Sequence, residues 1–340
     1  MSEAGTSGLL TGGVVATGVG SWPGEDVREA LRVVRGELAG SVPEGVLGVP
    51  YLPELPARGP GADMVGRAAH LLVDLPVDLQ PQGWRFVDRP GRDHERTASL
   101  WRQDLDELAE AFDGYQGPLK VQVTGPWTLA ATVWLPLGDR VLSDPGATRD
   151  LAGSLAEGVA AHLDAVQRLV PGARLVLQVD EPVLGTVLLG RVRSESGYRV
   201  LRTPERGEVV PTLRSVLDQQ AAQVCGVHTC AFDPPVELLV ASGAEVLALD
   251  LAQVPDRRWD EIAGAVEGGR RLWAGLDLTA EDPLEPLLTR WHELGLATVL
   301  LGEVGLIPPC GLAGSTPAQA RSATGRVVQL AARLAEVARG

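Results

Sequence analysis

Residues 224–230 read VCGVHTC, a short apolar run that ends in a histidine and a cysteine. Its first half has the pattern of a buried strand, and the side chains of a strand alternate between its two faces. His228 and Cys230 therefore share one face. Cys225 points to the other face, where we expect it to be a packing residue. An imidazole beside a thiol at the end of a strand supplies two of the ligands that a zinc site needs.

Seven other apolar runs with strand character accompany this one, and helical stretches separate most of them. The eight strand candidates begin near residues 14, 46, 119, 174, 224, 245, 271 and 297. Such alternation is typical of parallel strands that are joined by helical crossovers. Eight units predict an α/β fold with a single (β/α)₈ barrel of the TIM type. An open doubly wound sheet is the main alternative, but no glycine-rich phosphate loop follows the first strand.

The barrel units have one marked interruption. Residues 191–200 (RVRSESGYRV) alternate in polarity around a Ser-Gly pair, which predicts a hairpin inserted after the fourth strand. Residues 76–97 contain several prolines, and we expect them to be irregular. The remaining organisation is simple, with a flexible N-terminus over residues 1–13 and one barrel domain over residues 14–340.

Composition and charge exclude several classes of function. The chain has 340 residues, and its 44 acidic and 30 basic side chains give a formal net charge of −14. Nucleic acids and anionic membranes are bound by basic surfaces, so we expect neither as a partner. Three cysteines do not suggest a disulfide framework. Because the sequence shows no signal peptide pattern and no run of about 18 apolar residues, we expect a cytoplasmic protein.

Polar residues gather at the predicted carboxyl ends of the strands, where a barrel carries its chemistry. These residues, with the cysteine of the last loop, are Gly20, Ser21, Thr124, Asp180, Glu181, His228, Cys230, Asp250, Asp277, Glu303 and Cys310. Thiolate, imidazole and carboxylate are zinc ligands. His228, Cys230 and Cys310 would supply three of them, and Asp250 the fourth. Asp180 and Glu181 have an alternative interpretation as a pair that caps the start of a helix.

The composition of this ligand set indicates the kind of chemistry. Two thiolates and a carboxylate would give the zinc site a net negative charge. Such an electron-rich zinc is a weak Lewis acid, which lowers the pKa of a substrate thiol and leaves the sulfur nucleophilic. Zinc sites that activate water are more often rich in histidine. The set therefore favours thiol chemistry over hydrolysis.

Five short motifs occur in an order that resembles the catalytic domain of the cobalamin-independent methionine synthase family. They are VGSWP at 19–23, TGP at 124–126, QVDEP at 178–182, HTC at 228–230 and PCGL at 309–312. The resemblance extends from Thr17 to about Gly311. It implies a barrel, one catalytic Zn²⁺, and transfer of a methyl group to the thiol of homocysteine to form methionine.

The resemblance also implies roles for metal ligands. The family's histidine and two cysteines match His228, Cys230 and Cys310. Its glutamate ligand falls on Asp250, whose side chain is one methylene shorter, and Glu303 is the alternative fourth ligand.

The resemblance further implies the substrate contacts. They match Gly20, Ser21 and Asp180, to which we add Glu181, the neighbour of Asp180. Asp180 and His228 are the predicted catalytic residues. One further glutamate of the family has no secure counterpart, because Glu54 is near its position but the local pattern places Arg58 there.

The methyl donor is less well defined than the acceptor. Full-length members of the family carry an additional N-terminal barrel that is associated with binding polyglutamylated methyl-folate. The expected donor here is 5-methyltetrahydrofolate or a methylcorrinoid, either methylcobalamin or a corrinoid protein. Two alternatives remain: a zinc methyltransferase that acts on another thiol with a corrinoid protein as donor, and a non-catalytic partner that binds zinc or a corrinoid. The arginines that could form a basic patch for an anionic donor are Arg191, Arg193, Arg199 and Arg202.

Overall fold

The computed structural model describes residues 8–340, and within them ten strands alternate with helices. The strands are β1 (Val14–Ala16), β2 (Val46–Gly48), β3 (Val77–Gln80), β4 (Gly83–Phe86), β5 (Gly117–Thr124), β6 (Ala173–Asp180), β7 (Val224–Thr229), β8 (Val246–Asp250), β9 (Arg271–Gly275) and β10 (Gly305–Ile307). The α-helices are α1 (Val27–Ala39), α2 (Met64–His70), α3 (Arg92–Ala111), α4 (Pro126–Thr132), α5 (Pro145–Leu169), α6 (Leu184–Leu188), α7 (Arg206–Leu217), α8 (Val236–Ala241), α9 (Asp256–Glu267), α10 (Glu285–Glu293) and α11 (Pro317–Arg339).

Eight of the strands form one parallel sheet, in the order β2-β1-β10-β9-β8-β7-β6-β5. A parallel bridge between Tyr51 and Lys120 joins the two edges of this sheet. Two hydrogen bonds form the junction, which we call the seam: Lys120 N donates to Pro50 O at 2.8 Å, and Leu52 N donates to Lys120 O at 3.1 Å. Each parallel strand is followed by a helix, so this α/β fold fits a TIM-type barrel.

Apolar side chains pack in two layers, one inside the barrel and one between the strands and the helices. Val224 of β7 belongs to the interior cluster, whereas Cys225 and Val227 belong to the larger outer cluster. This alternation is the one that the strand pattern predicts. It confirms Cys225 as a packing residue and directs His228 into the barrel.

The helices begin where the sequence supplies capping groups. Asp26 precedes α1, and its carboxylate accepts a hydrogen bond from Glu29 N at 3.0 Å. Asp144 caps α5 in the same way, with a proline at the first turn. Leu31 of α1 is fully buried against the sheet, and burial of such a side chain contributes about 1.5–3 kcal/mol. Capping and the apolar stripe together fix the helical layer.

The predicted eighth strand, near residue 297, is wrong. Residues 298–303 form a 3-10 helix in which Val299 is 70% exposed, and the strand is β10, residues 305–307. The run at 297–301 was predicted as a strand because its side chains are mostly apolar, but these residues do not enter the sheet. The other seven predicted strands are confirmed within a few residues of their ends.

Two shorter predictions differ from the structure. Residues 76–97, expected to be irregular, contain the antiparallel pair β3 and β4. The predicted hairpin at residues 191–200 is not confirmed as a pair of strands: one antiparallel bridge joins Arg193 to Val200. The segment lies after β6, the fourth strand of the barrel.

The predicted flexible N-terminus, residues 1–13, falls partly outside the described residues, which begin at 8. Leu9 and Leu10 lie in a short 3-10 turn and pack into the interior cluster of the barrel. Arg271, the first residue of β9, donates a hydrogen bond to Leu10 O at 3.1 Å. The described part of this segment therefore contributes to the core.

Candidate active site

Register places Asp180, His228 and Asp250 at the same edge of the barrel. Asp180 is the last residue of β6, and its partner across the ladder is His228 of β7. Asp250 is the last residue of β8 and is opposite Gly275 of β9. Carboxyl ends of parallel strands meet at one rim, so the strand-end residues converge as the sequence predicts.

His228 is buried, at 3% exposure, and its two ring nitrogens have different surroundings. Nδ1 lies 2.9 Å from Oδ1 of Asp180. Nε2 is also buried, but it has no hydrogen-bond partner among the described residues. A buried nitrogen without a partner is costly unless something outside the protein engages it. The imidazole is thus held on one side and free on the other.

Cys230 and Cys310 bring their sulfurs together although 80 positions separate them in the chain. The Sγ atoms are 3.5 Å apart, and thiolates that share one tetrahedral zinc are about 3.8 Å apart. The hydrogen bond between the thiols lowers the pKa of Cys310 to about 6 and raises the pKa of Cys230. The pair therefore favours one thiolate near neutral pH.

The loop after β10, which carries Cys310, packs closely against Gly275 at the end of β9. A Cβ atom at Gly275 would lie 3.0 Å from Pro309 Cα and 3.0 Å from Leu249 O. A side chain at residue 275 would therefore require the loop or the strand β8 to shift by a few tenths of an ångström.

Asp250 borders the same space with part of its carboxylate in use. Its Oδ1 accepts a hydrogen bond from Ala252 N at 3.0 Å. Burial raises the pKa of Asp250, and the nearby His228 opposes this shift. Glu303, the alternative ligand, is not brought to the site. It precedes β10 at the opposite edge of the barrel, with its carboxylate 3.6 Å from Arg271.

The fit of this site to zinc is partial. Within residues 8–340, no three His, Cys, Asp or Glu side chains form a group that could hold a metal. The pieces present are a close sulfur pair and an unpartnered imidazole nitrogen, with a carboxylate beside them. These are the donor types that zinc prefers. The described residues therefore suit the ion chemically.

Gly20 and Ser21 lie beside this group. A Cβ at Gly20 would be 2.7 Å from the Gln122 side chain, and one at Gly311 would be 2.0 Å from Ser21 Oγ. Ser21 also forms a parallel bridge with Glu54. The loop after β1 thus runs between the interior of the barrel and the loop that carries Cys310.

Glu54 is a site residue whose role the sequence left open. It is buried and lies near Asp180 and Gln122. Burial raises its pKa to about 7, and the Arg67 guanidinium, 3.6 Å away, opposes this. Arg58, which the local pattern placed near the family's glutamate, instead pairs with the buried Asp104 at 2.7 Å.

Glu181 is fully buried beneath α4. Its Oε1 accepts from Trp127 N at 2.9 Å, and its Oε2 accepts from Thr128 N at 2.8 Å and Thr128 Oγ1 at 2.7 Å. These contacts correspond to the capping interpretation. A substrate contact of Glu181 stays a prediction.

Lys120 and Gln178 were not identified from the sequence, although both lie inside the barrel. Lys120 Nζ donates to Val19 O at 2.7 Å and to Gln178 Oε1 at 2.9 Å. Burial lowers the pKa of Lys120 to about 7, and the carboxylates of Asp180 and Glu54 oppose this. Polar residues at alternate positions of otherwise apolar strands were the available signal.

Comparison with known proteins identifies the family. The model of the family described as "Cobalamin-independent synthase, Catalytic domain" matches residues 14–333. This chain belongs to that family. The cobalamin-independent synthase domain thus accounts for nearly all of the barrel.

Two solved structures resemble this cobalamin-independent synthase domain at low identity. One is a B12-independent methionine synthase from a Shewanella species in complex with selenomethionine, with 12% identity, 68% of this chain and 66% of that chain covered, and a TM-score of 0.46. The other is a D-psicose 3-epimerase from Clostridium cellulolyticum with D-tagatose, with 12% identity, 96% and 97% covered, and a TM-score of 0.35. Likenesses with TM-scores below 0.5 support no inference about this domain. No curated protein matches the sequence.

Hydropathy of the helices gives one further observation. Among the helices of residues 8–340, none has the length and apolar character needed to cross a membrane.

Proposed function

We propose that this domain is a zinc-dependent methyltransferase that transfers a methyl group to the thiol of homocysteine and forms methionine. One observation carries the proposal: an unpartnered buried imidazole nitrogen of His228 lies at the barrel rim that also holds the sulfur pair of Cys230 and Cys310. The family match supports the reaction type.

His228, Cys230, Cys310 and Asp250 are the proposed residues that hold Zn²⁺. When bound, the ion would supply charge that lowers the pKa of a substrate thiol. Asp180 would accept a hydrogen bond from Nδ1–H of His228, which leaves Nε2 free as a ligand. Asp180 therefore has a second proposed role besides its contact with the substrate: it orients the imidazole of His228.

Gly20, Ser21 and Asp180 are the proposed contacts of the amino-acid part of homocysteine. The backbone of Gly20 and the hydroxyl of Ser21 suit its carboxylate, and Asp180 suits its ammonium. Glu54 is a second candidate for the ammonium because its carboxyl lies near Asp180. Glu181 is better suited to support α4 than to meet substrate.

Positioning also contributes to the reaction. The homocysteine thiol gives up its proton, its sulfur forms a bond to the methyl carbon, and the electron pair of the bond between that carbon and the donor atom stays with the donor. A folate nitrogen that leaves in this way takes up one proton in exchange for the thiol proton, whereas a corrinoid leaves as its reduced form and the thiol proton goes to solvent. Residues that hold the amino acid at two points fix the sulfur in line with the methyl group, and such orientation supplies much of the rate.

Zinc content and one variant test the proposal. Purified protein should carry about one zinc per chain, and Cys310→Ala should lose both the metal and methyl transfer. Cys225→Ala is the matched control, since this thiol packs in the outer layer. A zinc-free Cys310→Ala protein with full activity would exclude the mechanism.

The donor is the second part of the proposal. Arg191, Arg193 and Arg199 are exposed in the segment between α6 and α7 and make no salt bridge within the described part of the chain. A basic group on an acidic chain suits an anionic donor. Methyl-folate and methylcobalamin should each be incubated with the enzyme and homocysteine, and at least one should give methionine. If neither donor gives methionine, both proposed donors are refuted.

A non-catalytic zinc protein is the alternative, since the ligand set resembles a closed structural site. Zinc-edge absorption separates the two: homocysteine should add a sulfur ligand in an enzyme and change nothing in a closed site. Cytoplasmic location, and the absence of nucleic acid and membrane as partners, remain part of this proposal.

A further inference from the structure

A chain of hydrogen bonds runs through the barrel interior from Lys120 to His228. Lys120 Nζ donates to Gln178 Oε1 at 2.9 Å, and Gln178 Nε2 donates to Asp180 Oδ1 at 2.8 Å. The same Oδ1 lies 2.9 Å from His228 Nδ1. All four side chains are buried. The proposed reaction makes no use of Lys120 or Gln178, so their presence inside the barrel calls for an explanation.

Lys120 fixes which atoms donate and which accept in this chain of hydrogen bonds. Three oxygens surround its Nζ: Val19 O at 2.7 Å, Gln178 Oε1 at 2.9 Å and Gln122 Oε1 at 3.5 Å. Because these three neighbours are all oxygens, Nζ donates to them, and it holds the oxygen of the Gln178 amide toward itself. The Gln178 nitrogen must then face Asp180, and its second bond, to Val19 O at 2.7 Å, holds it there.

The same assignment of donors and acceptors fixes the position of the proton on the imidazole of His228. Asp180 Oδ1 accepts from Gln178, and a carboxylate has no proton to donate. The hydrogen between Asp180 and His228 therefore belongs to Nδ1 of the imidazole. Nε2 then keeps its lone pair, and this is the atom that is buried without a partner. A histidine that binds a metal through Nε2 requires this tautomer.

We propose that Lys120 and Gln178 are positioning residues, which set the orientation and tautomer of the His228 imidazole for metal binding through Asp180. The inference rests on the zinc site of the proposed function and deepens it. The competing explanation is that Lys120 only fills the barrel and stabilises the fold.

Zinc affinity of variants separates these explanations. Lys120→Met and Gln178→Met keep side-chain length and remove the hydrogen bonds. Arg271→Met is the matched control, because it removes another buried cation at the opposite edge, where Arg271 bonds Leu10 O. Competition with a chromophoric chelator should show zinc binding about 10–100-fold weaker in the first two variants, and unchanged in the control. Wild-type affinity in Lys120→Met, or equal weakening in Arg271→Met, would overturn the proposal.

A measurement on the unaltered protein covers the case in which Lys120→Met does not fold. Nitrogen-15 NMR of the metal-free protein should show the His228 ring protonated at Nδ1. A ring protonated at Nε2 alone would contradict the proposed chain of hydrogen bonds from Lys120 to His228. Neither readout needs a methyl donor. Unchanged zinc affinity in the variants, or a His228 ring protonated at Nε2 alone, would refute the positioning role. If they hold and no homocysteine is methylated, the proposed function fails instead.

Discussion

Replacement of Glu181 by alanine should test whether this residue supports α4 or binds substrate. The change leaves three buried donors without an acceptor: Trp127 N, Thr128 N and Thr128 Oγ1. Each unsatisfied buried donor costs about 1–3 kcal/mol. The sum is reduced because the folded protein no longer buries a carboxylate. We therefore expect a loss of about 3–5 kcal/mol in the free energy of unfolding, a large part of the roughly 5–15 kcal/mol typical of a domain.

The assay is urea unfolding followed by tryptophan fluorescence. Glu181→Ala should lower the midpoint and leave the slope unchanged, because the surface exposed on unfolding is the same. Asp144→Ala is the reference for an ordinary helix cap, since Asp144 bonds Gly146 N and Ala147 N at the exposed start of α5. Its loss should cost about 0.5–2 kcal/mol.

Homocysteine kinetics complete this test. A folded Glu181→Ala protein should retain the KM of the wild type, because both Glu181 oxygens face α4. A variant within about 1 kcal/mol of wild-type stability but with a strongly raised KM would refute the structural role and restore the substrate contact.

Three other predictions follow from the site. Burial raises the pKa of Glu54 to about 7, so the carboxylate that could receive an ammonium is lost as the pH falls through 7. The kcat/KM for homocysteine should fall over that range, and Glu54→Gln should lower kcat/KM and flatten the profile; an unchanged profile contradicts this role. Gly275→Ala should weaken zinc binding, measured by chelator competition, because its Cβ would displace the loop of Cys310 at Pro309; wild-type affinity would contradict a role of this close packing in the site. Asp104→Asn should cost about 3–5 kcal/mol in urea unfolding, since Arg58 and Arg67 lose a buried partner; a cost below about 1 kcal/mol, the size expected for an exposed ion pair, would contradict it.

The strand pattern was sufficient for most of the fold. Seven strands were predictable because buried parallel strands are nearly continuous apolar runs. The eighth, β10, was not, because three residues before two prolines leave almost no pattern. The residues at 297–301 are apolar, yet they form a 3-10 helix, and periodicity alone does not separate such a run from a strand.

Most of the candidate site was predictable from the strand ends, and Cys310 from its place in the loop after the last strand. Asp180, His228, Cys230 and Asp250 follow from period two and from the barrel geometry. Glu54 required knowledge of tertiary structure, because it sits in an irregular loop and reaches the site through a bridge to Ser21. Lys120 and Gln178 were not assigned to the site because only the carboxyl ends of the strands were considered as positions for chemistry.

The seam between the edges of the sheet has a consequence for local opening of the barrel. Both of its hydrogen bonds involve Lys120, through the amide at 2.8 Å and the carbonyl at 3.1 Å, and the Lys120 side chain starts the chain to His228. Local opening of a protein occurs in cooperative units, and amide hydrogen exchange measures each one. We expect an opening at the seam that displaces Lys120 to break the first hydrogen bond of the chain to His228, so the exchange rates of the Lys120 and Leu52 amides should fall when zinc binds.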